Sequence, residues 1–139
     1  MKETICAAAG TIGGVIAHAF GGWSAAMTTL LIFMVLDYLT GLVVAGVFKK
    51  SRKSESGALE SKAGWKGLIK KAVTLLFVLV AYRLDLIINT TYIKDAVCIA
   101  FILNELISLI ENAGLMGIPI PGVIEDAIDM LRKKEGKEK

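Results

Sequence analysis

The chain has 139 residues, 55% of them hydrophobic, with a mean hydropathy of +0.63 and a formal net charge of only +3. A soluble domain of this size carries more charge and less apolar content, so the composition excludes an ordinary soluble fold and predicts an all-α integral membrane protein, a single membrane domain over residues 1–139. No room is left for a separate catalytic domain, and no metal or cofactor is expected, because Cys6, Cys98 and His18 stand alone without metal-ligand spacing.

The first apolar segment, 5–23, is rich in glycine and alanine. Cys6, Gly10, Gly13, Gly14, Ala17 and Gly21 recur at helical spacing, a stripe of small residues that lets helix backbones approach closely. It reads either as a full span or as a helix lying in the interface. A run of this kind after Met1-Lys2-Glu3 without a small-x-small site does not predict a cleaved leader.

The second segment, 25–48, is apolar or weakly polar except for one central acid, Asp37. As a helix it reaches roughly 36 Å, enough to cross a hydrocarbon core of about 30 Å. An ionisable group inside a membrane segment is a functional candidate by default. Gly41 and Ala45 extend the small-residue spacing from Asp37, so they join the predicted helix-packing set. Trp23 and Trp65 flank apolar segments, as interfacial indoles do.

Between the second and third segments, 49–67 carries six lysines and arginines, and Lys70 and Lys71 at the start of the third bring the count to eight, a cluster the positive-inside rule assigns to the cytoplasm. Its part 51–64 reads as a mobile polar linker. With Trp65 as its only aromatic, this region serves topology, and no nucleic-acid binding is expected.

The third segment, 68–89, is interrupted by Arg83 and Asp85, and the fourth, 93–112, contains Asn104 and Glu105. Counting helical rise from the basic loop puts Asp37 and Arg83 about 18 Å deep, and Glu105 about 14 Å from the helix-ending Gly114. A buried charge seeks a partner, so Arg83 is expected to pair with Asp37 or Glu105, leaving one carboxylate over. Asn104, Glu105, Ser108, Glu111 and Asn112 share one helical face opposite Ile99, Ile102, Leu103, Leu106 and Ile110. That polar face reads as an aqueous or inter-subunit wall.

Two prolines within 114–122 stop the helix. In 123–139, Val123, Ile124, Ala127, Ile128 and Leu131 oppose Glu125, Asp126, Asp129 and Arg132, predicting an amphipathic helix on the inner membrane surface or against a partner, followed by a basic tail. The C-terminus is therefore expected in the cytoplasm. Three spans put the N-terminus outside and four put it inside; the charge rule accepts both.

Taken in order, Gly21-Gly22-Trp23, Asp37-Tyr38-Leu39-Thr40-Gly41, Trp65-Lys66-Gly67-Leu68-Ile69-Lys70-Lys71, Asn104-Glu105-Leu106-Ile107-Ser108-Leu109-Ile110-Glu111-Asn112 and Gly117-Ile118-Pro119-Ile120-Pro121 resemble the toxin-secretion/phage-lysis holin family across about residues 10–131. The resemblance implies a small non-enzymatic protein of phage origin that accumulates among the lipids of the bacterial cytoplasmic membrane. It further implies homo-oligomerisation and a lesion through which an endolysin, or in some members a toxin, leaves the cell without required direct binding. Two other classes fit the residues: a small ion channel or transporter subunit, and a scaffold that recruits a soluble partner.

Overall fold

The computed structural model describes residues 1–138; Lys139 of the predicted basic tail lies outside the described residues, as do the side chains of Lys137 and Glu138. The described residues form five helices and no strand: α1 (Lys2–Ala19), α2 (Ala25–Val43, prolonged by a π-helical turn, Val44–Phe48), α3 (Ser61–Ile88), α4 (Ile93–Leu115) and α5 (Gly122–Glu138).

α2 starts where the Ser24 side chain accepts the Met27 amide at 3.2 Å, satisfying one of the donors every helix start leaves free. With its π turn it runs 24 residues at a mean hydropathy of 2.2, the one described helix both long and apolar enough to cross a membrane. α3 and α4 have the length, about 42 and 34 Å, and both carry ionisable residues within it, Lys71, Arg83 and Asp85 on α3 and Glu105 and Glu111 on α4. The all-α expectation holds; three or four spans do not follow from apolar length alone.

α2, α3 and α4 pack around Met27, Leu30, Met34, Val78, Cys98 and Ile102, with Phe20 and Leu131 against the cluster. In water, burying each such side chain contributes about 1.5–3 kcal/mol. In lipid that term vanishes, because the tails are as apolar as leucine, and association rests on close packing and polar contacts. The polar residues of this bundle therefore matter more than their number suggests.

α3 begins at Ser61, well before the predicted 68, so part of the expected loop is helix. What remains is tied down rather than free. The Ser51 amide donates to the Gly57 carbonyl at 2.9 Å, the Ser54 hydroxyl to the Ala58 carbonyl at 2.7 Å, and the Ser56 amide and hydroxyl to the Glu60 carboxylate at 3.1 and 2.7 Å. The Ser56 hydrogen bonds hold the Glu60 carboxyl below its ordinary pKa. Gly57 turns the chain at φ +77°, where a Cβ would stand 2.7 Å from the Lys49 carbonyl oxygen.

The α3–α4 corner is closed by a residue from the wrong helix. Asn89 ends α3 in the left-handed region, φ 62°. Asp85, a turn earlier and 5% exposed, accepts the Thr90 hydroxyl at 2.6 Å and the amides of Ile93 and Lys94 at 3.0 and 2.8 Å. It thus acts as the N-terminal cap that Tyr92, at the cap position of α4, does not supply.

α1 buries none of its residues. A Cβ at Gly10, Gly13 or Gly14 would meet nothing within 4 Å, so this part of the predicted packing stripe has no partner inside the chain. α5 does not leave the bundle for a separate surface. It folds back along α4, burying Ile128 and setting Leu131 on the core cluster. Between α5 and the α2–α4 pair lies a cavity of about 920 Å³, bounded by Ala25, Phe33, Ile99, Leu106, Val123 and Ala127.

Candidate functional site

Three of the motifs singled out in the sequence meet at one point. Asp37 on α2, Lys71 on α3 and Glu105 on α4 form a triad of two buried acids and a half-buried lysine: the Lys71 ammonium donates to Asp37 Oδ2 at 2.8 Å and to Glu105 Oε2 at 2.6 Å. Asp37 is 3% exposed and Glu105 8%. The Asn112 amide, seven residues beyond Glu105 on the same helical face, donates to Asp37 Oδ1 at 3.1 Å, to the Asp37 carbonyl at 3.3 Å and to the Thr40 hydroxyl at 2.8 Å. One ammonium bridges the two carboxyl groups, and Lys53 from the loop brings a second ammonium to 4.0 Å from Asp37 Oδ2.

The neighbouring glycines let the helices come this close. The Tyr38 hydroxyl donates to the Gly64 carbonyl at 3.4 Å. A Cβ at Gly64 would lie 3.3 Å from that hydroxyl, and one at Gly67 3.6 Å from the ring. Gly41 faces the Asn112 amide at 4.0 Å in the same sense, while Ala45 is buried a turn further on. The three motifs are thus one structural unit in which charge, amide and small residues are fitted together.

This arrangement corrects one expectation. Arg83 pairs with neither Asp37 nor Glu105. Its side chain is exposed and makes no ion pair among the described residues. The depth count misled because it treated Lys71 as the membrane edge of α3, whereas Lys71 is level with the two acids and Arg83 lies three turns beyond. Within one copy the polar residues of 104–112 divide, although Asn104, Glu105 and Ser108 line one cavity. Glu105 and Asn112 turn inward to Asp37, Asn104 and Glu111 are exposed, and Ser108 is intermediate.

Lys71 escaped notice because it was counted with the basic loop. A signal for it exists: Lys71, Val78 and Asp85 stand seven apart, with Thr74 and Ala81 between, and from Val78 onward this stripe is the buried one. The same spacing carries Met27, Leu30, Met34 and Asp37 on α2 and Cys98, Ile102, Glu105 and Asn112 on α4. Each acid is where the core stripe predicts a leucine.

Lys94 forms a second buried polar joint, also missed. It is 7% exposed, donates to the carbonyls of Phe20 and Gly22, the latter at 3.3 Å, and lies 5.5 Å from the Tyr82 ring centroid. A cation at the carbonyl end of α1 complements the helix dipole. Gly21, at φ +80°, has the Tyr82 ring 2.3 Å from where a Cβ would be, so that corner admits only glycine. Ala17 is half-buried on the last turn of α1.

Residues 14–133 match the family model described as the bacteriophage holin family. A probable holin of Bacillus phage phi105 is 30% identical over 103 residues, covering 73% of this chain and 70% of its own length. Uncharacterized protein Lin0175 of Listeria innocua is 37% identical over 129 residues, 91% of this chain and 85% of that one. An uncharacterized 14.9 kDa protein of Clostridium perfringens, in the nagH 3′ region, is 35% identical over 127 residues, 90% of each chain. No solved structure matches.

Proposed function

The chain belongs to the bacteriophage holin family, and from that premise we propose that α2, α3 and α4 all cross the bacterial cytoplasmic membrane and that copies assemble there into a lesion that releases a muralytic enzyme or a toxin. The basic residues of 49–60 and the first turns of α3 keep that end cytoplasmic. α3 and α4, too polar to cross alone, cross as a unit with α2 because the Asp37–Lys71–Glu105 triad and Asn112 satisfy one another inside the bundle.

The observation that carries the reading is the charge on α5. This helix lies along α4 at the depth of Met27 to Phe33, yet Glu125, Asp126, Asp129, Arg132 and Lys133 point outward and are exposed. Insertion scales set the cost of such a side chain at mid-membrane at about 2.5–3.5 kcal/mol each, so lipid cannot surround this face. Before assembly α5 would instead leave α4, where it is docked with Lys134 beside Ser24 and Asp95, and lie on the inner membrane surface with its C-terminal tail in the cytoplasm. Copies that turn their α5 faces toward one another enclose water instead, and this enclosed face is the wall of the lesion. The stripe of Gly10, Gly13 and Gly14 on α1, free of contacts within the chain, offers a surface for close helix packing between copies.

Induced expression in bacteria with and without a cytoplasmic muralytic enzyme tests this. Loss of membrane potential with release of the folded enzyme is the expected result. Ion leakage without enzyme release would instead indicate a small channel, and an undamaged membrane with a captured soluble protein would indicate a scaffold.

A further inference from the structure

A second cavity, about 720 Å³, opens between α2 and α3 on the side of the basic loop. Its deep end is the triad, where Lys71 and Lys53 are already committed to Asp37 and Glu105. Lys66 and Lys70 also line it, one turn apart on α3, and among the described residues neither has a carboxylate within 4.0 Å. Glu60, the remaining acid in the lining, is engaged by Ser56. Leu42 from α2 and Ile69 and Val73 from α3 supply apolar flanks.

Two uncommitted ammonium groups above apolar walls match the chemistry of a phospholipid: a phosphate at the mouth and an acyl chain along the helices. We propose that this cavity binds the phosphate-bearing headgroup of an anionic membrane lipid, held by Lys66 and Lys70. Basic pockets between membrane helices on the cytoplasmic side are recognised sites for such headgroups. By helical rise Lys66 lies about 7 Å nearer the cytoplasmic end than Lys71, where a lysine stem can snorkel its ammonium toward the inner-leaflet phosphates. The proposal rests on the membrane orientation given above. An anionic lipid seated there would wedge between α2 and α3, beside the triad that joins them.

The test is native mass spectrometry of the full-length chain extracted from vesicles of equimolar phosphatidylglycerol and phosphatidylcholine. Wild type is expected to retain phosphatidylglycerol preferentially. K66Q and K70Q each lower that retention by about fivefold, the worth of one lysine near an anionic surface, while K66R/K70R keeps it. Equal retention of both lipids by wild type, or undiminished preference in K66Q/K70Q, overturns the proposal. Displacement of the bound lipid by millimolar inorganic phosphate would assign the site to a free anion and also overturn it. Dye leakage from the same vesicles is read in parallel, so that failure to form a lesion is distinguished from failure to bind lipid.

Discussion

Replacing Lys71 with methionine isolates the term on which the bundle's polar centre depends. The ammonium stands 2.8 Å from Asp37 and 2.6 Å from Glu105, and at an effective dielectric of about 20 each contact is worth roughly 6 kcal/mol of raw attraction. Most of that is offset by the desolvation of three charges and by repulsion between the acids. Removing only the cation keeps those costs and deletes the compensation, so the expected loss is about 3–5 kcal/mol, roughly two to four decades in the unfolding equilibrium. Lys53, with its side chain 61% exposed, recovers little. The companion variant Lys71→Met/Asp37→Asn/Glu105→Gln removes all three charges, retains the acceptor that Asn112 uses, and is expected to regain most of the stability. Arg83→Gln is expected to stay within about 0.5 kcal/mol of wild type. Unfolding in mixed micelles, followed by helicity, reads all three. A Lys71→Met protein as stable as wild type, or a larger loss from Arg83→Gln, would refute the assignment of Lys71 as the central cation.

Glu105→Leu should insert normally yet abolish lysis on expression, because α4 loses its tie to Lys71; normal lysis by that variant counts against a role for the triad. Asp85→Ala removes the borrowed cap of α4 and should cost about 2 kcal/mol, with hydrogen exchange quickening first at the amides of Ile93 and Lys94. Gly13→Leu should leave the fold of a single copy unchanged, since nothing lies near that position, while reducing cross-linked oligomers; undiminished cross-linking would remove α1 from the assembly surface. Glu60 is held below its ordinary value near 4.5, so its ordering of the loop is complete above that pH and is lost as pH falls through the depressed value. The Ser56 amide resonance should shift in that acid range and not near neutrality.

Much of this molecule can be read from its residues. The apolar length around Asp37, the Gly-Pro stop after α4 and the two faces of α5 each follow from a local pattern, and each reappears in the fold. Asp37, Glu105 and Asn112 could be singled out because a polar side chain in an apolar run is conspicuous. Lys71 could not, because a lysine beside Lys70 and Lys66 looks like one more topogenic charge; only the phase of α3 reveals that it turns inward. Asp85 and Lys94 are legible as charged residues but not as a cap and a carbonyl clamp, since both roles depend on a neighbouring helix. The docking of α5 on α2 and α4 was hidden for the same reason. An amphipathic helix announces that its apolar face will be covered and does not say by what.

Release of a trapped folded protein from lipid vesicles, measured against the number of copies per vesicle, addresses the collective behaviour of these helices most directly. Vesicles holding one or a few copies should remain tight, with efflux rising as a steep power of loading once the charged faces of α5 can enclose water together. Efflux proportional to loading from the first copy, or tight vesicles at every loading, would contradict it.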